Sequence, residues 1–282
     1  MTTDSISIDQ LKQLLEPKLE EFDVLLAPKS FPSGVRPFWF TKETGLDDLA
    51  LWPWYRWPDI LAMLQCSGAK QKIAVLVRGC DERALIEMHK RHQVDMNAIE
   101  LLGIPCSASD ELPCWCSRPA PDQIIIGEKE EGNKNEDLDE FLKMETAERL
   151  AFWRKHMDRC IKCYGCRNSC PLCICEPCKL EDDVWVQRGV VPAETITFHL
   201  IRACHLSDTC VACGACQEAC PVNIPLLYLQ LGMRKTLREK YGYEAGLDPE
   251  IKSPVLSSAF EKPDTDREFP DWINSLREKD ES

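Results

Sequence analysis

The sequence predicts an α+β protein: a small α/β unit with parallel strands comes first, and a helical, cysteine-rich unit follows. Three observations carry this. Two apolar runs, Ile73–Val77 and Ile99–Ile104, bracket a helical stretch as a strand-helix-strand unit does. A hydrophilic segment from Glu128 to Asp137 then interrupts the pattern, as linkers between domains do. Beyond it, two copies of one cysteine run lie among segments of helical periodicity.

Element by element, residues 8 to 26 place Leu11, Leu14, Leu15, Leu19, Phe22, Leu25 and Leu26 at three- and four-residue spacings, which predicts one amphipathic helix. The run Trp52-Pro53-Trp54-Tyr55-Arg56-Trp57-Pro58 forbids a regular helix interior. Its aromatics suit the edge of a core, with stacking on a flavin or a partner as the other use. Ile73–Val77 reads as a buried strand, Asp81 as the cap of a helix reaching His92, and Ile99–Ile104 as a second strand. Gln123–Ile126 reads as a third. The expected domains are therefore 1–127, a linker at 128–137, and a helical domain at 138–245. That domain has helices from Leu138 to Met157, Ala193 to Leu206 and Ile224 to Tyr241. Residues 246–282, rich in proline, serine and charge, read as a tail that orders against a partner.

The chemistry is written in the cysteines. Cys160, Cys163, Cys166 and Cys170-Pro171 repeat as Cys210, Cys213, Cys216 and Cys220-Pro221, two copies of C-x2-C-x2-C-x3-C-P. Three thiolates two residues apart wrap three irons of one cubane, and the fourth, leaving on a turn before proline, ligates the other cluster. One 4Fe-4S cluster is thus expected at Cys160, Cys163, Cys166 and Cys220, and another at Cys210, Cys213, Cys216 and Cys170. Structural zinc prefers four ligands in two separated pairs, which this pattern does not offer. Disulfides are disfavoured because the polar start Met-Thr-Thr-Asp-Ser-Ile-Ser lacks an apolar export signal, so a cytoplasmic setting with reduced thiols is expected.

Nine of the 17 cysteines remain. Cys80 and Cys106 follow the two predicted strands at their carboxyl ends, where parallel sheets hold ligands, and Cys114 and Cys116 come next. These four thiols either bind a third cluster or stay reduced and structural. Cys173, Cys175 and Cys178 form a further triad which, with Cys204, has enough ligands for zinc or another cluster. The quieter role for such neighbours is to donate hydrogen bonds to a cluster. Cys66 reads as core. His199 and His205 fall on the helix beside the second quartet, where packing is their ordinary role. Arg154, Lys155, Arg159, Lys162 and Arg167 surround the first quartet, while Asp208 and Glu218 flank the second. Positive surroundings favour a reduced cluster, so the first quartet is expected to have the higher potential.

The helices flanking both quartets, from about Arg159 to Tyr241, resemble the alpha-helical ferredoxin of succinate dehydrogenase iron-sulfur subunits and of heterodisulfide reductase C-type subunits. The run from Ile73 to Cys106 resembles the beta subunits of deazaflavin-reducing hydrogenases and their formate dehydrogenase relatives. The whole chain is similar to small iron-sulfur proteins of such modules in anaerobes. The resemblance implies cytoplasmic electron transfer and a third cluster at Cys80, Cys106, Cys114 and Cys116. The single residue between Cys114 and Cys116, where the family has two, departs from that pattern.

The expected function is an intracellular electron-transfer subunit that passes single electrons through two, or with the extra thiols three, 4Fe-4S clusters. Its partners would be flavin, heterodisulfide-reductase-like, hydrogenase or formate dehydrogenase subunits. The competing reading is a flavin-containing beta subunit that itself reduces a deazaflavin or nicotinamide carrier. No G-x-G-x-x-G loop or serine-histidine-acid constellation is present, which favours a non-catalytic carrier. A net charge of −13 repels nucleic acid, and no apolar stretch approaches the roughly 18 residues of a membrane span.

Overall fold

The computed structural model describes residues 6–51, 55–68, 70–106, 116–175, 178–181 and 195–255. Its architecture is α+β, with a mixed four-stranded sheet followed by a helical region. The helix expected over 8–26 is interrupted at Pro17, which cannot occupy a helix interior without losing a hydrogen bond and striking the preceding turn. Helix α1 is Ile8–Leu15 and α2 is the short Lys18–Glu21. Leu25 and Leu26 belong instead to strand β1, Val24–Phe31, which pairs antiparallel with β2, Gly34–Phe40.

Prolines hide this hairpin in the sequence, and register shows why the sheet tolerates them. Pro28 of β1 stands opposite Pro37 of β2. The other edge of β1 pairs with the next strand only over Val24–Leu26, short of Pro28. Past that point, a loop takes over the edge: Ala50 N–H donates to Pro28 O at 3.0 Å and Ser30 N–H to Asp48 O at 2.8 Å.

Helix α3, Trp57–Cys66, starts with Pro58 in its first turn, where a missing N–H costs nothing. Trp57 and Leu61 are fully buried. Strand β3, Ile73–Val77, and β4, Ile99–Gly103, are parallel, and the sheet order is β2-β1-β3-β4. All five residues of β3 are buried because the strand feeds two cores. Ile73, Val75 and Val77 face one core with Trp57, Leu61, Leu85 and Met88, while Ala74 and Leu76 face the other with Leu11, Leu15 and Phe40.

The crossover is helix α4, Gly79–Lys90, and its cap differs from the expected one. Arg78 occupies the cap position, and Asp81, three residues later, reaches back to accept the Arg78 N–H at 3.1 Å. Gln123–Ile126 is not a strand. Ile125 N–H donates to Gly103 O at 2.8 Å and Ile125 and Ile126 pack on the core, while the left-handed Gly127 (φ 88°) ends the segment.

The long helix expected over 138–157 is two: α5, Glu136–Lys143, and α6, Thr146–Met157. Met144 is extended, and Glu145 opens α6 with a reciprocal cap in which the Glu148 carboxylate accepts the Glu145 N–H at 3.0 Å. Single-turn helices α7, Gly165–Asn168, and α9, Ala215–Glu218, sit within the two cysteine runs. Between them lies α8, Thr195–His205, with the Ala193 end of the expected helix outside the described residues. Helix α10, Leu226–Tyr241, ends on the left-handed Gly242.

The stretch just after 246 does not wait for a partner. Glu87, fully buried on α4, accepts the Gly246 N–H at 2.7 Å and the Tyr243 hydroxyl at 3.1 Å, and it pairs with Lys90 at 3.0 Å and Arg91 at 2.6 Å. Arg91 also grips Asp208 at 2.9 Å, and the Asp208 carboxylate accepts from the buried Ser253 hydroxyl. This cage draws residues 243–253 onto the chain's own sheet unit. The expected tail beyond 255 lies outside the described residues.

Candidate metal centres

Two cysteine loops repeat not only in sequence but in backbone. Lys162 (φ 54°) and Tyr164 (φ 56°) are left-handed in the first, and Ala212 (φ 56°) and Gly214 (φ 78°) hold the same places in the second. Such conformations cost of order 1–3 kcal/mol for non-glycine residues and persist where the surroundings over-determine them. Alternating hand turns successive N–H groups inward, forming the anion-binding concavity found at iron-sulfur sites. Ala212 N–H points at Cys210 Sγ at 3.4 Å and Ile224 N–H at Cys220 Sγ at 3.3 Å.

The loops face each other closely. A Cβ on Gly165 would stand 2.7 Å from Ala219 O, and Ser169 Oγ donates to Ala215 O at 3.0 Å. Burial and the nearby Cys160, Cys163 and Cys220 thiols push Cys166 up to about 11, although Arg202 opposes them. In the other loop, burial raises Cys213 and lifts Cys216 to about 12, and Cys170 and Cys210 act on both. Cys220 thus acts electrostatically on Cys160 and Cys166 of the first run, and Cys170 on Cys213 and Cys216 of the second.

Eight soft thiolate donors in two quartets, ringed by N–H donors in a left-handed cradle, fit two cubane clusters in donor chemistry. Among the described residues, no three His, Cys, Asp or Glu side chains converge on a point suited to one bare metal ion.

At the carboxyl edge of β3 and β4, Cys80 sits in the first turn of α4 and Cys106 follows β4, as the strand-helix-strand reading placed them. Cys116 is buried beside them and Cys114 lies outside the described residues. Arg83, 4 % exposed, reaches the Cys116 sulfur at 2.6 Å and Arg118 O at 2.7 Å, while Arg78 reaches Cys106 Sγ at 3.8 Å. Burial raises Cys80 well above an ordinary thiol, with Asp81, Cys213 and Cys116 adding to the effect. Cys80 is thus an electrostatic neighbour of both Cys116 and the second loop.

The triad after the first run is divided. Cys173 packs on the same core as Cys170, Cys210 and Cys213, and a hydrogen bond from Cys173 holds Cys170 below the ordinary thiol range. Cys178 packs with Cys160 and Tyr164 against the first loop, whereas Cys175 and Cys204 are exposed. The four do not form one ligand set.

Three residues important to these loops carried no motif in the sequence. Arg202 on α8 is 3 % exposed and donates from Nη2 to Cys166 O at 2.8 Å. His199, one turn earlier and also 3 % exposed, places Nε2 3.4 Å from Cys160 Sγ; burial, reinforced by Arg202, depresses it to about 4 and keeps it neutral. Arg234 of α10 donates to Cys210 O and pairs with Glu244 at 2.9 Å. The charge contrast expected between the loops is consequently altered. Asp208 is spent on Arg91, Arg234 adds a cation to the second loop, and Arg202 serves both. Helical spacing marks Arg202 and His199 as one face of α8, but only the fold shows that this face meets the thiols.

Comparison with known proteins agrees with this chemistry. The 4Fe-4S binding domain family matches residues 205–225, around the second run. The chain is 46 % identical over 99 residues to the F420-dependent formate dehydrogenase subunit beta of Methanocaldococcus jannaschii, covering 35 % of this chain and 26 % of that one. It is 38 % identical over 107 residues to the F420-dependent formate dehydrogenase 1 subunit beta of Methanococcus maripaludis, covering 38 % and 27 %. The aligned stretches span about a quarter of the length of these relatives. The resemblance to formate dehydrogenase beta subunits is thereby met, and the chain is an iron-sulfur protein. No described helix is long and apolar enough to cross a membrane.

Proposed function

We propose that the chain is an electron-transfer subunit of a multi-subunit redox complex, carrying single electrons through two 4Fe-4S clusters. The observation that carries this is the close pairing of two cysteine loops with left-handed residues at the same places, Lys162 and Tyr164 in one and Ala212 and Gly214 in the other. Cys160, Cys163, Cys166 and Cys220 would hold one cluster, and Cys210, Cys213, Cys216 and Cys170 the other. When bound, such clusters take up and release one electron at a time. The chain's own part is to fix their separation through the α7–α9 contact, to exclude water with the core around Leu172, Leu206 and Val211, and to set potentials by N–H and cationic neighbours.

Cys80, Cys106, Cys114 and Cys116 are proposed as a third cluster site, supported by the shared sheet edge, by Arg83 on Cys116 and by the reach of Cys80 to Cys213. The three sites would then run in line from the first loop through the second to the sheet edge. The relatives' names suggest that the complex oxidises formate and uses F420, with this chain between a catalytic and a carrier-reducing partner in the cytoplasm.

Iron and sulfide quantification, with paramagnetic resonance of the anaerobically reduced protein, tests the assignment. About eight irons per chain mean two clusters and about twelve mean three. Four or fewer would overturn the two-cluster reading. Flavin released by acid treatment would move the reading to a flavin-bearing beta subunit that reduces its carrier directly.

A further inference from the structure

Helix α8 drives one cation into the space between the two loops. Arg202 is 3 % exposed, its Nη2 donates to Cys166 O of the first run at 2.8 Å, and its guanidinium also hydrogen-bonds Cys173 beside Cys170 of the second set. Nε has no hydrogen-bond partner among the described residues. A guanidinium cannot shed its proton in a protein, so Arg202 carries its charge wherever it is buried. A buried charge is unfavourable unless an opposite one answers it.

No carboxylate pairs with Arg202 among the described residues. Its polar contacts reach both sets instead: Cys166 O lies 2.8 Å from Nη2, and the guanidinium hydrogen-bonds Cys173, whose N–H donates to Cys170 O at 3.2 Å. The other cations of the loops serve one side each. Arg234 bonds Cys210 O and is answered by Glu244, and Arg167 is answered by Glu181.

We infer that Arg202 is a shared positioning residue whose buried charge raises the reduction potentials of both clusters together. The inference rests on the two-cluster reading. Each cluster gains one negative charge on reduction, and a fixed cation between them favours the reduced form of either.

The test is a redox titration of the full chain, followed by paramagnetic resonance, for the wild type, Arg202→Gln and Arg202→Lys, each first assayed for iron and sulfide. Wild type with about eight irons, or about twelve with the sheet-edge site filled, satisfies the reading of paired clusters, whereas about four or fewer ends both claims. In Arg202→Gln with iron retained, both potentials are expected to fall by at least tenfold in the reduction equilibrium, ~59 mV for a one-electron couple. Arg202→Lys, which keeps the charge but not the planar fork, is expected to leave both within about threefold of wild type. Retained iron with neither potential moved, or only one, overturns the inference and leaves the clusters standing. If Arg202→Gln loses iron, Arg202→Lys decides. Full iron with both potentials at wild-type values supports a charge role, and loss of iron or displaced potentials assigns Arg202 to holding the loops by its hydrogen bonds.

Discussion

The two cysteine loops share a backbone and differ in everything around it. Asp158 and Asp208 stand two residues before Cys160 and Cys210, the same place in each run. Asp158 is exposed at the end of α6, whereas Asp208 is 4 % exposed and held by Arg91. Cys163 is exposed and Ile161 is 51 % exposed in the first loop, while Cys210 and Cys213 of the second lie on the core that also covers β3. One loop is therefore open to solvent, and the other is an interior node between helices and sheet. Spacing is the same in both, and burial is what tells them apart.

The sharpest break in the comparison comes from exchanging ligands. Cys170→Ser, although made in the first run, is expected to remove the second cluster's signal and lower iron from about eight to about four per chain. Loss of the first cluster's signal instead would mean that each run serves its own cluster. Next is the cage that only the second loop possesses. Glu87→Ala leaves the buried Lys90 without its carboxylate and Arg91 with Asp208 alone, and is expected to cost about 3–5 kcal/mol in denaturant unfolding. Asp158→Ala, at an exposed place, is expected to change stability by within about 0.5 kcal/mol, and comparable losses from the two would erase the contrast.

Gly165→Ala tests the contact between loops, since its new Cβ meets Ala219 O at 2.7 Å. Its expected cost is about 1–3 kcal/mol of stability, read by the unfolding midpoint. The smallest effect is expected from His199→Leu. It removes a neutral neighbour of Cys160 and should lower only the first cluster's reduction equilibrium, by less than about tenfold. An equal fall at the second cluster would show that His199 acts through Arg202.

Much of this was legible in the chain. The parallel pair β3 and β4, with its crossover helix, follows from two apolar runs around a helical pattern, and α10 from its periodicity. What escaped has physical reasons. Pro17 ended a helix whose apolar spacing ran on unbroken, because leucines spaced for a helix also serve a buried strand. Pro28 and Pro37 suppressed the strand signal of a hairpin whose register accommodates both. Glu145 opened a second helix inside continuous helical spacing. Arg202 looks like any cation on an amphipathic helix, and nothing local tells a solvated guanidinium from one enclosed among thiols. Likewise the serines and prolines after 246 signal disorder by composition, and only Glu87 and Asp208, far away in the chain, explain why residues 243–253 pack.

That cage also sets an order of events. Glu87 and Asp208 leave the ribosome before Tyr243, Gly246 and Ser253, so the joint between the sheet unit and the second loop closes last. All eight motif cysteines precede Tyr243 in the chain, so the strap that ties the second loop to the sheet unit is made after the loop it covers, and the joint cannot be complete until residues 243–253 exist.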